Sequence, residues 1–182
     1  MLTASITLAA CLVGLQVQVR PATSVTEKEL VGTYKGIYAY REDRYKAYDP
    51  NKGSLEILTE IKRKVERSRA GLHVTLSLLK DHTYTWRLLS PDGKAWKSNP
   101  SDVAGEGYRG TWSVKNGTVQ FKHLEMLTDL DEKYQLLSTP RYERLGAPQP
   151  FAGEVLRGGG KTLIVLKPDD QQIALLAFGK DR

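Results

Sequence analysis

One cysteine, Cys11, is all that the 182 residues contain. That count excludes an intramolecular disulfide and any zinc site built on two or more thiolates. Histidine is nearly as scarce. His73, His82 and His123 are the only three, and their spacing is not that of a zinc-binding motif. No Gly-x-Ser-x-Gly elbow occurs, so hydrolase chemistry of that kind lacks its nucleophile motif. With 16 glycines and 8 prolines the chain is neither collagen-like nor a disordered tract. Internal repeats, low-complexity stretches and linkers are absent, and at a prior of roughly 150 residues per domain the length fits one domain. Composition therefore calls for no metal and no cofactor.

What is present is ordinary globular material: 40% apolar and 26% charged residues. The balance of 27 Lys+Arg against 21 Asp+Glu gives +6, which favours solubility more than it marks a nucleic-acid partner.

From Leu2 to Val19 there is no charged residue, and Arg20 is the first. The segment resembles the apolar region of a secretory signal, although no Lys or Arg precedes it. It is shorter than the about 20 strongly apolar residues of a spanning helix and is diluted by Thr3, Ser5, Thr7, Gln16 and Gln18. Residues 1–22 are therefore read as a signal peptide or N-terminal apolar segment, with cleavage expected between about residues 15 and 26. Leu8-Ala9-Ala10-Cys11 also fits a lipoprotein box, so a membrane link is expected only if the segment is uncleaved or lipidated at Cys11. The expected location is periplasmic, cell-envelope or secreted, which a thiol-free mature chain suits.

The remainder, 23–182, reads as one β-rich domain. Leu30–Tyr40 is rich in β-branched and aromatic residues. Ser54 caps a predicted amphipathic helix near 54–70, with Leu55, Leu58, Ile61 and Val65 on one stripe and Gly71 after its last turn. The period then changes from 3.6 to 2. Leu72, Val74, Leu76 and Leu78 alternate with polar residues, as do Tyr84, Trp86 and Leu88, and pairing Leu78 with Tyr84 and Leu76 with Trp86 puts both sets on one face. Asn116-Gly117 predicts a type I′ hairpin in which Lys115 faces Thr118, Val114 faces Val119 and Trp112 faces Phe121. Tyr134–Ser138, Glu154–Arg157, Lys161–Leu166 and Gln171–Phe178 are further strands, separated at Thr139-Pro140, Gly146–Pro150, Gly158–Gly160 and Pro168–Asp170. The fold expected is an all-β antiparallel meander forming a small, about eight-stranded barrel with one inserted helix. Leu72, Val74, Leu76, Trp86, Trp112, Val114, Val119 and Phe121 are its expected core.

Gly32-Thr33-Tyr34-x-Gly36, Leu79-x-Asp81-x-Thr83-Tyr84 and Gly110-Thr111-Trp112 stand in that order. In this the chain resembles the lipocalin-like β-barrels of bacterial envelope proteins, and in particular NlpE-type N-terminal domains, over about residues 30–124. The resemblance implies an exported barrel with a ligand cavity or a protein-contact surface. The family's Cys-x-x-Cys is missing here, so its copper and thiol chemistry does not carry over.

Several motifs favour a plain reading. Gly105-Glu106-Gly107-Tyr108-Arg109-Gly110 spells G-x-G-x-x-G, but alternating strand residues follow it instead of a helix. Lys62, Arg63, Lys64, Arg67 and Arg69 are interleaved with Glu60 and Glu66 at i,i+4 spacing and read as a solvated helix face. Asp81-His82 and Glu42-Asp43 are adjacent pairs, and on a strand such neighbours point to opposite faces.

The segment that combines aromatic area with forked donors is Tyr40, Arg41, Arg44, Tyr45 and Tyr48, placed at a barrel mouth. These are the expected ligand-binding residues. The expected function is a non-enzymatic exported binding module for a small apolar ligand, a glycan or an envelope protein. The alternative is a small hydrolase or isomerase with its site in the mouth.

Overall fold

A computed structural model describes residues 20–40, 70–96, 107–130, 136–167 and 174–180. Its elements are β1 (Arg20–Pro21), α1 (Glu27–Leu30), β2 (Gly32–Tyr40), β3 (His73–Leu78), β4 (Thr83–Leu89), β5 (Gly107–Lys115), β6 (Thr118–Leu130), β7 (Leu136–Gly158), β8 (Lys161–Lys167) and β9 (Ala174–Lys180). From β2 to β9 each strand pairs antiparallel with the next, and β9 returns to β2. Eight strands thus close into a barrel, which leaves no sheet edge running its full length. The short β1 is an extra strand, laid on β7 through Arg20↔Arg157 and Pro21↔Leu156.

Side-chain alternation sets the register. The pairs Leu78↔Tyr84 and Leu76↔Trp86 form as expected, because a slip of one residue would turn every apolar side chain of the strand outward. At the β5–β6 turn Asn116 and Gly117 take φ of 52° and 73°, the positive values of a type I′ turn. Lys115↔Thr118, Val114↔Val119 and Trp112↔Phe121 follow from it. Of the expected core, Leu72, Val74, Leu76, Trp86, Trp112, Val119 and Phe121 are buried, and Val114 is half-buried against them. Leu30, Tyr34, Tyr38, Leu78, Tyr84, Leu88, Val155, Ile164 and Leu166 complete it.

One strand differs from the expectation. Thr139-Pro140 and Gly146–Pro150 do not break the chain, which runs as β7 for 23 residues. Irregular pairing with β6 accommodates them. Between His123↔Gln149 and Glu125↔Arg144, Leu124 alone faces residues 145–148, and a second shift between Thr128↔Arg141 and Leu130↔Leu136 takes in Pro140. Pro140 and Pro148 therefore stand where no ladder bond is needed. Pro150 faces Lys122. Counting from the tight turn, that position directs its nitrogen away from β6, and β8 does not begin pairing with β7 until Ala152. The missing N–H therefore points to the β8 side, beyond the last described pair, Ala152↔Lys167.

The helix expected near 54–70 lies outside the described residues, apart from Ala70, which is in a turn. Gly71 has φ +65°, the left-handed conformation expected of it.

The two ends of the barrel are built differently. At one, here called the turn end, the strands are joined through residues 79–82, 116–117 and 159–160, and β1 and α1 lie there. At the other, the loop end, the connections are residues 41–72, 90–106, 131–135 and 168–173.

Candidate functional site

A row of three residues crosses the barrel wall. Tyr84 on β4 pairs with Gly110 on β5, and Gly110 pairs with His123 on β6. Gly110 is required there, since a Cβ would stand 1.9 Å from the Lys122 carbonyl oxygen and 3.0 Å from Tyr84 Cε1. With no side chain between them, the Tyr84 hydroxyl reaches over β5 to His123 Nδ1 and hydrogen-bonds it. The β5–β6 register shifts immediately beside this row, between Arg109 and Gly110.

Aromatic rings surround the pair. Tyr108 stacks on His123 at 4.3 Å between centroids, and Phe151 is tilted against it at 4.5 Å. Phe121 stacks on Phe151 at 4.6 Å and meets Tyr84 edge-on at 5.2 Å. Trp86 leans on Tyr108 at 5.4 Å. Tyr84, Trp86 and Phe121 are buried, whereas Tyr108, His123 and Phe151 are half-buried, and Met126, paired with Tyr108, is 42% exposed. The panel therefore grades from solid core to reachable surface along the β5–β6–β7 wall.

Electrostatics fix the proton on this pair. Burial lowers the His123 pKa to about 4, so the imidazole is neutral at pH 7. Burial, and secondarily the neighbouring Tyr108, raises the Tyr84 phenol above its ordinary value, which keeps it protonated. Tyr84 is then the donor and His123 Nδ1 the acceptor, and the imidazole proton sits on Nε2. Among the described residues no hydrogen bond to Nε2 occurs.

The turn end is closed by charged tethers on α1. The Glu29 carboxylate accepts from the Thr26 backbone N–H at 2.8 Å and from its hydroxyl at 2.9 Å, and it pairs with Arg157 at 3.0 Å. These bonds, with Thr26 first, hold Glu29 below the usual carboxylate range. Glu27 accepts from the Val114 N–H and lies 3.7 Å from His82 Nδ1. Lys180 Nζ donates to the Glu29 and Val31 carbonyls. Below these, Leu30 is fully buried and its carbonyl accepts the Tyr34 hydroxyl at 2.7 Å. A cleft of about 370 Å³ opens beside α1, lined by Glu29, Arg157, Gly158, Gly160, Lys161 and Thr162.

Of the expected binding residues, Tyr40 ends β2 at the loop end, its backbone opposite Ala174. Arg41, Arg44, Tyr45 and Tyr48, and the Tyr40 side chain, lie outside the described residues. Of the glycine-rich motif, Gly107–Gly110 is strand β5 and more strand follows. Asp81 accepts from the Thr83 hydroxyl and N–H, which lowers its pKa. It serves to shape its turn, with no acid–base pair to His82. The grouping of Tyr84, Tyr108, His123 and Phe151 was not anticipated. Its signal was the odd-numbered series Val119, Phe121, His123, which places His123 on the inner face.

Among the described residues no group of three or more His, Cys, Asp or Glu could hold a metal ion, and no helix is long and apolar enough to cross a membrane. Compared with protein-family models, with curated proteins and with solved structures, the chain finds no match in any of the three.

Proposed function

We propose that the protein is an exported, non-enzymatic binding module of the cell envelope, built like the lipocalin-like barrels it resembles, that takes up a small apolar molecule from the loop end. One observation carries this reading: the ends are unequal. α1, Leu30 and short turns occupy one end, while toward the other the half-buried rings of Tyr108, His123 and Phe151 and the exposed Met126 form an apolar wall. Small-molecule sites are mostly apolar with a few placed polar groups, and His123 Nε2–H would supply one donor. Tyr40 ends β2 on this side, and Arg41, Arg44, Tyr45 and Tyr48 follow it in sequence. Export rests on the uncharged segment Leu2–Val19. Because Arg20–Pro21 pair with β7 and the Ala22 N–H bonds the Val155 carbonyl at 2.9 Å, cleavage before Arg20 leaves the fold whole.

The test is fluorescence titration of the full chain with N-phenyl-1-naphthylamine, a neutral apolar probe. Saturable enhancement is expected, weakened by Tyr108→Ala and by Tyr45→Ala, each by about 1–3 kcal/mol. Absence of saturable binding, or binding indifferent to both substitutions, overturns the reading.

A second reading, a small hydrolase or isomerase, draws on His123 alone, a neutral imidazole inside the barrel. With a pKa of about 4 it is a weak base, which is why binding is preferred. Turnover of p-nitrophenyl esters lost in His123→Gln would reverse that order.

A further inference from the structure

We propose that the turn end docks on an anionic lipid surface, so that the loop end faces away from the membrane. Strand order gathers cations at this end from six separate elements. Arg20 opens β1, Lys28 lies on α1, and Lys80 is in the β3–β4 turn. Lys115 precedes the Asn116-Gly117 turn, Lys161 opens β8, and Lys180 closes β9. The carboxylates on α1 and in the β3–β4 turn are already engaged: Glu27 with Val114 N–H and His82, Glu29 with Thr26 and Arg157, Asp81 with Thr83. Among the described residues Arg20, Lys28, Lys80, Lys115 and Lys161 form no ion pair, and all five are exposed. With Arg157 these cations outnumber the carboxylates of the same end, Glu27, Glu29, Asp81 and Glu154, the last facing Thr118 beside the Asn116-Gly117 turn, so the end carries a net positive charge.

Two further observations select a lipid surface as the occupant. The uncharged segment Leu2–Val19 joins the fold at Arg20, on this same end. If retained, it delivers an apolar segment to the bilayer beside the basic face. If removed before Arg20, it leaves a new α-ammonium there, which adds to the charge. The cleft of about 370 Å³ beside α1 opens on this same face, lined by Lys161 and Thr162 together with the Glu29–Arg157 ion pair. Basic residues close to an anionic leaflet each add attraction that salt screens within a Debye length. None of this depends on whether the loop end binds a ligand.

The test is co-sedimentation of the full chain with vesicles of phosphatidylcholine alone and with an equimolar mixture of phosphatidylcholine and phosphatidylglycerol. Binding to the mixed vesicles is expected to exceed binding to the neutral ones by about tenfold or more, and to fall steeply between ~0.05 M and ~0.5 M salt. The combined substitution Lys28→Glu, Lys80→Glu, Lys115→Glu and Lys161→Glu should abolish the phosphatidylglycerol dependence, while the same four positions as Arg retain it. The single reversal Lys122→Glu, on the barrel side, should leave it intact, and circular dichroism should show native β-structure in every variant. Equal binding to both vesicle types marks insertion of the apolar segment without docking and overturns the proposal. So does a lysine set whose reversal changes nothing in a folded protein, or a Lys122 reversal that weakens binding as much as the set does.

Discussion

Tyr84 donates its phenolic proton to His123 Nδ1 across a strand that contributes only Gly110 between them. The bond fixes the tautomer of a half-buried imidazole, with its proton on Nε2. Nitrogen-15 NMR should find His123 neutral at pH 7 and almost wholly in the Nε2–H form. In Tyr84→Phe the two tautomers should mix, and the protein should lose about 1–2 kcal/mol of stability, the usual consequence of stripping the partner from a buried polar atom. An unchanged tautomer ratio would mean that the bond does not set it.

His123 also gives the stability of the barrel a pH dependence of definite sign. Its folded-state pKa of about 4 lies below the ordinary 6.5, so the unfolded chain binds the proton more tightly. Stability is then complete above pH 6.5, declines as pH falls through the interval, and levels off below about 4. The loss amounts to on the order of 2–3 kcal/mol. Urea unfolding at several pH values should trace it. His123→Phe should remove that part of the slope, and a variant with the full slope would place the titrating group elsewhere.

Gly110 is the least replaceable residue of the row. A methyl group there would collide with the Lys122 carbonyl, and both are backbone-held, so Gly110→Ala should destabilise by about 3 kcal/mol or more. Thermal melting provides the readout. By contrast Gly93, with nothing within 4 Å of its added Cβ but φ of +82°, should lose only about 1 kcal/mol on mutation to Ala.

The plug at the turn end is part of the core and not an appended lid. Leu30→Ala should cost about 2–5 kcal/mol, because its side chain is fully buried among the barrel residues. Ile37→Ala, at 54% exposure on β2, should change stability by less than about 0.5 kcal/mol. Comparable losses at the two positions would show that α1 is not packed as described.

Much of the barrel was legible because local rules agreed with one another. Asn116-Gly117 fixed both the turn type and the facing pairs on β5 and β6. The even-numbered apolar series on β3 and β4 allowed one sensible register. What escaped the reading was long-range. β7 passes three prolines because irregular pairing takes in Pro140 and Pro148 and Pro150 turns its nitrogen away from β6, and neither is visible until β6 is in place. Thr26-Glu27-Lys28-Glu29 carries a helix-start signal, yet the short turn it opens gains its significance from Arg157 and Lys180, far along the chain. His123 was readable as inward-facing from hairpin parity alone. Its bond to Tyr84 was not, since it depends on which β5 residue separates them.

An apolar ligand entering from the loop end, as proposed, should meet the Tyr108–His123–Phe151 wall. That expectation is tested most directly by mapping N-phenyl-1-naphthylamine on the labelled full chain by NMR. Saturable shifts should appear at Tyr108, His123, Met126 and Phe151, with α1 and the Asn116-Gly117 turn unmoved. Shifts confined to α1 and the neighbouring turns, or no saturable shift at all, would contradict it.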